Sequence, residues 1–325
     1  MKTLVTRSYQ GETDLEAIAE FFQVCETVDR LDELVSVSDL RQAFNAPDVD
    51  KERDIRLWEN GEGKLIGFGK VSIQESVDGY LSWRVHPTVR GEGIEQEIIR
   101  WGEARMKEVA REKGVSVHLR SGSRDTQTER IALLKSCGFT PDRYFFEMER
   151  SLAEPFPKPE LPTGFTLHSP LSAKFSGKKG QQCFLEAWVE MYNQTFIDHW
   201  NFHELTVELL EHKMSYPDYR QDLDLVALTA DGTFAAFCVC FIHPEENEKK
   251  GSKDGWIAAL GTRRGFRHRG LGKAMLLSGM QRLRDVGMEK ALLGVDAENP
   301  SGATRLYESV GFCKIYTNIV YSKEF

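Results

Sequence analysis

"RHRGLGKA", residues 267–274, lies between an alternating run, "GWIAALGT", and a helical run carrying Leu271, Met275, Leu276, Met280 and Leu283 on one side. A strand that turns into a helix leaves free N–H groups at the helix start, where the helix dipole also favours an anion. Gly270 and Gly272 have no Cβ to block close approach. Arg267, Arg269 and Lys273 add positive charge to a chain of formal net charge −8. The stretch is expected to hold a phosphate. Taken alone, it also describes an ordinary strand-to-helix turn with solvated basic residues.

The chain contains the stretch twice. In "RGEGIE" (90–95), Arg90 falls on Arg267 and Gly93 on Gly270, both 177 residues apart. "LLKSCGF" (133–139) falls on "LYESVGF" (306–312), 173 residues apart. The four-residue difference lies within the intervening helix and is close to one turn, which keeps its buried face in phase. A whole domain is duplicated, and 325 residues suit two domains. "SLAEPFPKPELPTGF" (151–165) is the linker, because Pro155, Pro157, Pro159 and Pro162 preclude a helix or central strand. The expected domains are 1–150 and 166–325.

The second half reads as an α/β unit. A short strand near 165–167 precedes a helix with Phe184, Trp188, Met191, Tyr192 and Thr195 on one stripe. Thr206 is expected to cap a second helix. The strands "DLVALTA" and "FAAFCVCFI" are joined by the Asp231-Gly232 hairpin signal. After the basic turn and its helix come strand "ALLGVD", a short helix near 301–309, and a final strand. In "DAENPSGATRLYESVGF" (296–312), Asn299 and Pro300 suit a helix start, and Tyr307 follows two turns later.

Together these two pieces resemble the GNAT superfamily of acetyl-coenzyme A-dependent N-acetyltransferases. The family's Q/R-x-x-G-x-G/A loop is met by Arg267, Gly270 and Gly272, and its Asn…Leu-Tyr-x-x-x-Gly-Phe segment by Asn299, Leu306, Tyr307, Gly311 and Phe312. The resemblance implies an α/β fold of two tandem GNAT-like domains, each a mixed, mostly antiparallel sheet flanked by helices. It implies that backbone amides from His268 through Arg269, Gly270, Leu271 and Gly272 to Lys273 hold the pyrophosphate, beside Arg267. The pantetheine arm would pair with Leu260, Gly261 and Thr262, and Asn299 would touch the cofactor. Tyr307 would act as general acid on the leaving thiolate. Arg264 departs from the family, many members of which have proline there. The tandem arrangement is similar to that of the mycothiol synthase group, although nothing in the sequence selects that acceptor.

An amine acceptor must lose a proton before it attacks, and Asp296 and Glu298 are the carboxylates considered for that task. The other reading of these two is that Asp296 orders the loop and Glu298 is solvated. In "FIDHWNFHE" (196–204), His199, Trp200 and Phe202 are expected to line the acceptor pocket or to pack. His199 and His203 have HxxxH spacing, but no third ligand accompanies them and no metal site is expected.

The first half lacks key parts. Leu134 stands for Tyr307, Thr126 for Asn299 and Ser123 for Asp296, while Glu92 and Glu95 fall on Arg269 and Gly272. A carboxylate about 4 Å from a phosphate charge costs on the order of 4 kcal/mol at an effective dielectric of about 20. The first half is therefore expected to keep the fold without acetyl transfer.

The acidic balance argues against nucleic acid. No run approaches the length of a membrane span, and the start carries no signal-peptide pattern. Six scattered cysteines fit reduced thiols in a cytoplasmic protein. The sequence thus reads as an acetyltransferase, monomeric or homodimeric, with one site in 166–325. It would transfer acetyl from acetyl-coenzyme A to a small-molecule or peptide amine. The alternative is a non-catalytic acyl-coenzyme A-binding regulatory module, which has no need of Tyr307.

Overall fold

A computed structural model describes residues 4–31, 34–74, 78–299 and 301–325. It divides into two compact units, 1–144 with 317–325, and 145–316. In chain order the first part contains β1 (Val5–Ser8), α1 (Glu12–Asp29), α2 (Val37–Phe44), α3 (Lys51–Asp54), β2 (Ile55–Glu59), β3 (Leu65–Gln74) and β4 (Asp78–Val85). After these come α4 (Ile94–Lys113), β5 (His118–Arg124), α5 (Thr128–Ser136) and β6 (Thr140–Ser151). The remainder contains β7 (Phe165–His168), α6 (Gly177–Phe196), α7 (Val207–Met214), β8 (Asp224–Thr229), β9 (Phe234–Phe241) and α8 (Pro244–Lys250). It closes with β10 (Asp254–Thr262), α9 (Leu271–Asp285), β11 (Lys290–Asp296), α10 (Ala303–Glu308) and β12 (Cys313–Glu324).

In the first unit β1 to β4 pair antiparallel in sequence order, and β4 meets β5 in parallel. In the second, β7 to β10 do the same and β10 meets β11 in parallel. A crossover helix, α4 or α9, makes each parallel connection possible. Alternation buries Leu81, Trp83 and Val85 of β4 against Ile94, Ile98, Ile99 and Met106 of α4. Leu271, Met275, Leu276, Met280 and Leu283 of α9 pack on Cys238, Ala291, Leu293 and Val295 in the corresponding core. Burying each such side chain contributes roughly 1.5–3 kcal/mol.

The duplication is visible in the backbone. Both turns enter through a 3-10 segment, Pro87–Val89 and Arg264–Phe266, and both helices start after a left-handed glycine, Gly93 (φ 100°) and Gly270 (φ 84°). The helices α4 and α9 have 20 and 15 residues, so the shortening falls within the helix and is five residues rather than four. Phe139 donates its N–H to Leu134 O as Phe312 does to Tyr307 O, both at 3.1 Å, so Leu134 occupies the place of Tyr307.

The domain limits differ from those read in the sequence. β6 belongs by sequence to the first half, yet its residues 145–151 pair antiparallel with β11. β12 ends the second half, yet its residues 318–324 pair with β5 in the first unit. Each half thus ends in a strand that joins the other unit, and a strand's hydrogen-bonding partner leaves no local mark on sequence. Register also corrects one equivalence. Asp78 and Asp254 start the parallel pairings with His118 and Lys290, which places Arg124, not Ser123, at the position of Asp296.

Candidate active site

β9 and β10 pair with a register shift between Ile257 and Ala259, leaving Ala258 as a bulge. The equivalent strands β3 and β4 pair without a shift. "DGWIAALGT" is one residue longer than "DGYLSWRV", and that residue is the bulge. The Arg263 N–H bonds Ala235 O at 2.9 Å. By antiparallel alternation Gly261 also faces β9, so the backbone groups of Leu260 and Thr262 point to the opposite edge.

On that edge β11 pairs with β10 only from Asp254↔Lys290 to Trp256↔Leu292. Beyond Trp256 the strands part, while β11 continues to Asp296 against β6. A wedge opens between them, with the Leu260 amide directed into it. Gly294 lies on its β11 side, exposed, and a Cβ there would meet nothing within 4 Å.

The glycine turn stands beyond the end of β10. Gly270 and His268 take left-handed backbone conformations (φ 84° and 60°). The first helical bond of α9 is Ala274 N–H to Gly270 O, and the N-cap has no side chain to satisfy the preceding amides. The N–H groups of Leu271, Gly272 and Lys273 therefore point out of the helix start, which suits a pyrophosphate. His268, Arg269 and Lys273 are exposed around them. The Arg267 side chain is committed elsewhere, donating to Thr262 O at 3.2 Å and Thr195 O at 2.9 Å. It braces the turn against β10 and α6. Arg264, the departure from proline, pairs with Asp198.

Tyr307 is 7% exposed within the α9 core, and its hydroxyl makes no hydrogen bond among the described residues. Burial, with the nearby Cys238 thiol, pushes its pKa above the ordinary phenol value. It is therefore a protonated donor at neutral pH. Asp296 is 4% exposed and its Oδ1 accepts the Glu298 N–H at 2.9 Å, which orders the loop after β11. Asn299 does not cap α10: the N-cap is Gly302, and Asn299 Oδ1 instead accepts the Ser301 N–H at 2.9 Å. Pro300 lies outside the described residues. Asn299 Nδ2 and His199 Nε2 are 3.2 Å apart, which brings the two sequence-selected residues together.

α6 stops at Phe196, and Asn201 is left-handed (φ 53°), so His199 and His203 do not share a helical face. Trp200 packs on Phe145 with ring centroids 5.8 Å apart, and the Phe202 N–H bonds His199 O at 3.2 Å. The bulge, Gly294 and Phe145 went unselected in the sequence. The one-residue length difference between the two copies was the available signal for the bulge.

Residues 185–312 match the profile of the Acetyltransferase (GNAT) family. Residues 185–312 form a GNAT acetyltransferase domain. The mycothiol acetyltransferase of Thermobispora bispora is 29% identical over 271 residues, covering 83% of each chain. That of Salinispora arenicola is 27% identical, covering 81% of this chain and 79% of the relative. A GCN5-related N-acetyltransferase structure from Sphaerobacter thermophilus aligns with TM-score 0.75 at 23% identity, covering 99% of this chain and 95% of the other. A tandem GNAT protein from the clavulanic acid biosynthesis pathway aligns with TM-score 0.73 at 12% identity, covering 99% and 98%. The chain is thus an acetyltransferase whose acyl donor is acetyl-coenzyme A, with a fold like that of tandem GNAT proteins.

The first unit fills the same places with its own side chains. Glu95 Oε1 accepts the Gly91 N–H at 2.9 Å, and Arg90 is held bidentately by Asp29 at 2.6 and 2.8 Å. Arg130 lies 3.8 Å over the Trp83 ring and donates to Gly122 O at 2.9 Å and Trp83 O at 3.4 Å. Trp83 Nε1 reaches Ser121 Oγ at 3.1 Å. Gly122 matches Gly294 in register, but a Cβ there would collide with the Tyr80 hydroxyl. Side chains bridge the split between β4 and β5, where the split between β10 and β11 stays open.

No helix among the described residues is long and apolar enough to cross a membrane.

Proposed function

We propose that acetyl transfer takes place at one site per chain, in residues 166–325, and that the acceptor is a primary amine of a small molecule or peptide. The open wedge between β10 and β11, ending at the unsatisfied amides of α9, carries this reading. The pyrophosphate would rest on amides 268–273, and the pantetheine arm on the exposed edge of Leu260 and Thr262. Gly261 supports that edge from behind, where a Cβ would come 2.6 Å from Phe237 and Thr195. Asn299, with His199, Trp200 and Phe202, would border the acceptor side.

The amine nitrogen attacks the thioester carbonyl, and a strand amide directed into the wedge steadies the developing oxyanion. The C–S bond breaks, and the Tyr307 hydroxyl protonates the departing thiolate. A pKa raised by burial keeps that proton in place until the thiolate forms. Asp296 and Glu298 place negative charge at the end of β11, which favours a cationic acceptor. The mycothiol acetyltransferase relatives support a small-molecule acceptor. The first unit holds the fold without a donor site, since Glu95 and Arg130 take the backbone groups the donor would use.

Calorimetry of the full chain with acetyl-coenzyme A tests the site count, and thiol release with an amine panel tests the chemistry. One donor per chain is expected, with Tyr307→Phe lowering kcat about 10²-fold and leaving donor affinity intact. Two equal donor sites, or unchanged turnover in Tyr307→Phe, would overturn the reading.

A further inference from the structure

β6 and β11 pair antiparallel without a shift from Lys290↔Ser151 to Asp296↔Phe145. Directly opposed residues point to the same face of a sheet. Met148, Ala291, Leu293 and Val295 belong to the α9 core. Glu147, Gly294, Phe145 and Asp296 therefore lie on the other face.

Glu147 stands directly opposite Gly294, where a Cβ would meet nothing within 4 Å. The open floor is thus bordered by a carboxylate on the neighbouring strand. Asp296 is two residues further along β11, a diagonal neighbour of Glu147, and adds a second negative charge. Its Oδ1 is already engaged by the Glu298 N–H. Trp200, its ring tilted against that of Phe145, lies at that end of the row. Glu149, next along the same face, pairs with Lys290 at 3.0 Å and belongs to a different contact. Gly294 sets the row beside the part of β11 that no longer pairs with β10.

We propose that this slot is the acceptor's ammonium site, with Glu147 binding the cationic amine and removing its proton. The proposal rests on the acetyl-transfer reading and names the residue that meets the acceptor. The ammonium gives one proton to Glu147, which passes it to solvent. The freed lone pair forms the N–C bond as the C–S bond breaks, and Tyr307 protonates the thiolate. The nitrogen's second proton returns to Tyr307 through water. The ligand class is a small primary ammonium with room for an aromatic contact at Trp200. Glu147 precedes the linker in sequence, so the second unit's site draws on the first half of the chain.

The full chain is assayed with acetyl-coenzyme A and a panel comprising an amino sugar, a diamine and a lysyl peptide. Glu147→Gln is expected to lower kcat/KM for the best acceptor at least 30-fold, with donor affinity and melting temperature unchanged. Glu147→Asp is expected to recover part of that loss. Activity of Glu147→Gln within threefold of wild type overturns the proposal and leaves the acetyl-transfer reading standing. A matching loss of donor affinity or melting temperature assigns Glu147 a structural role and also overturns it. Failure of the wild type with every acceptor removes the acetyl-transfer reading, and this proposal falls with it.

Discussion

Glu95 accepts the backbone N–H of Gly91 at 2.9 Å, so the first glycine turn is capped by its own helix. The carboxylate that argues against phosphate in the sequence has a positive task in the structure. It satisfies a donor, where the second turn has Gly272 in place of that side chain. Two turns of the same backbone shape therefore differ in what fills them.

Gly272→Glu transfers that arrangement to the second turn. A Cβ at 272 would meet Leu306 at 3.5 Å and Thr262 at 3.6 Å, which is ordinary contact, so the fold should accept the change. A carboxylate about 4 Å from a bound phosphate costs on the order of 4 kcal/mol at an effective dielectric of about 20. Calorimetry should show acetyl-coenzyme A affinity falling about 10³-fold with little change in melting temperature.

Arg267→Ala removes the bonds to Thr262 O and Thr195 O that fix the turn against β10 and α6. Hydrogen bonds to charged groups contribute about 1.5–3 kcal/mol each. Solvent around the part-exposed guanidinium brings the combined loss below the sum of the two, to about 2 kcal/mol in total. Urea unfolding should register this, together with donor binding weakened about tenfold by the loosened turn.

Asp224 gives a pH-dependent signature away from the site. It is buried between Trp188 Nε1 at 3.2 Å and the Tyr219 hydroxyl at 2.8 Å. Burial raises its pKa to about 6, against the two hydrogen bonds that lower it. The folded state therefore prefers the protonated form more strongly than the unfolded state does. This contribution is present at low pH and is lost as pH rises from about 4 through 6. Asp224→Asn should gain stability relative to wild type across that window and hold the gain above pH 6. Urea titrations at pH 4, 5, 6 and 7 check this, and a difference that stays flat with pH would refute it.

Much of the second unit was legible because its signals are local. The Asp231-Gly232 turn, the Thr206 cap and the stripes of α6 and α9 depend on neighbours a few residues away. Gly270 and Gly272 marked the turn for the same reason. Asn299 read as a helix cap, yet it orders the loop before Gly302, because competing short-range turns share the same polar residues. His199 and His203 read as a helical pair, but a left-handed Asn201 separates them.

The sequence by itself determined the duplication, the order of the elements and the charge contrast between the two turns, since each is written in residue type and spacing. Only the tertiary structure decided which strand completes which sheet and where β10 parts from β11. It also decided that Arg130 bridges one split, and that Glu147 stands opposite Gly294 of β11 beside the other. These depend on backbone pairing and close approach between segments distant in the chain, which no local pattern encodes.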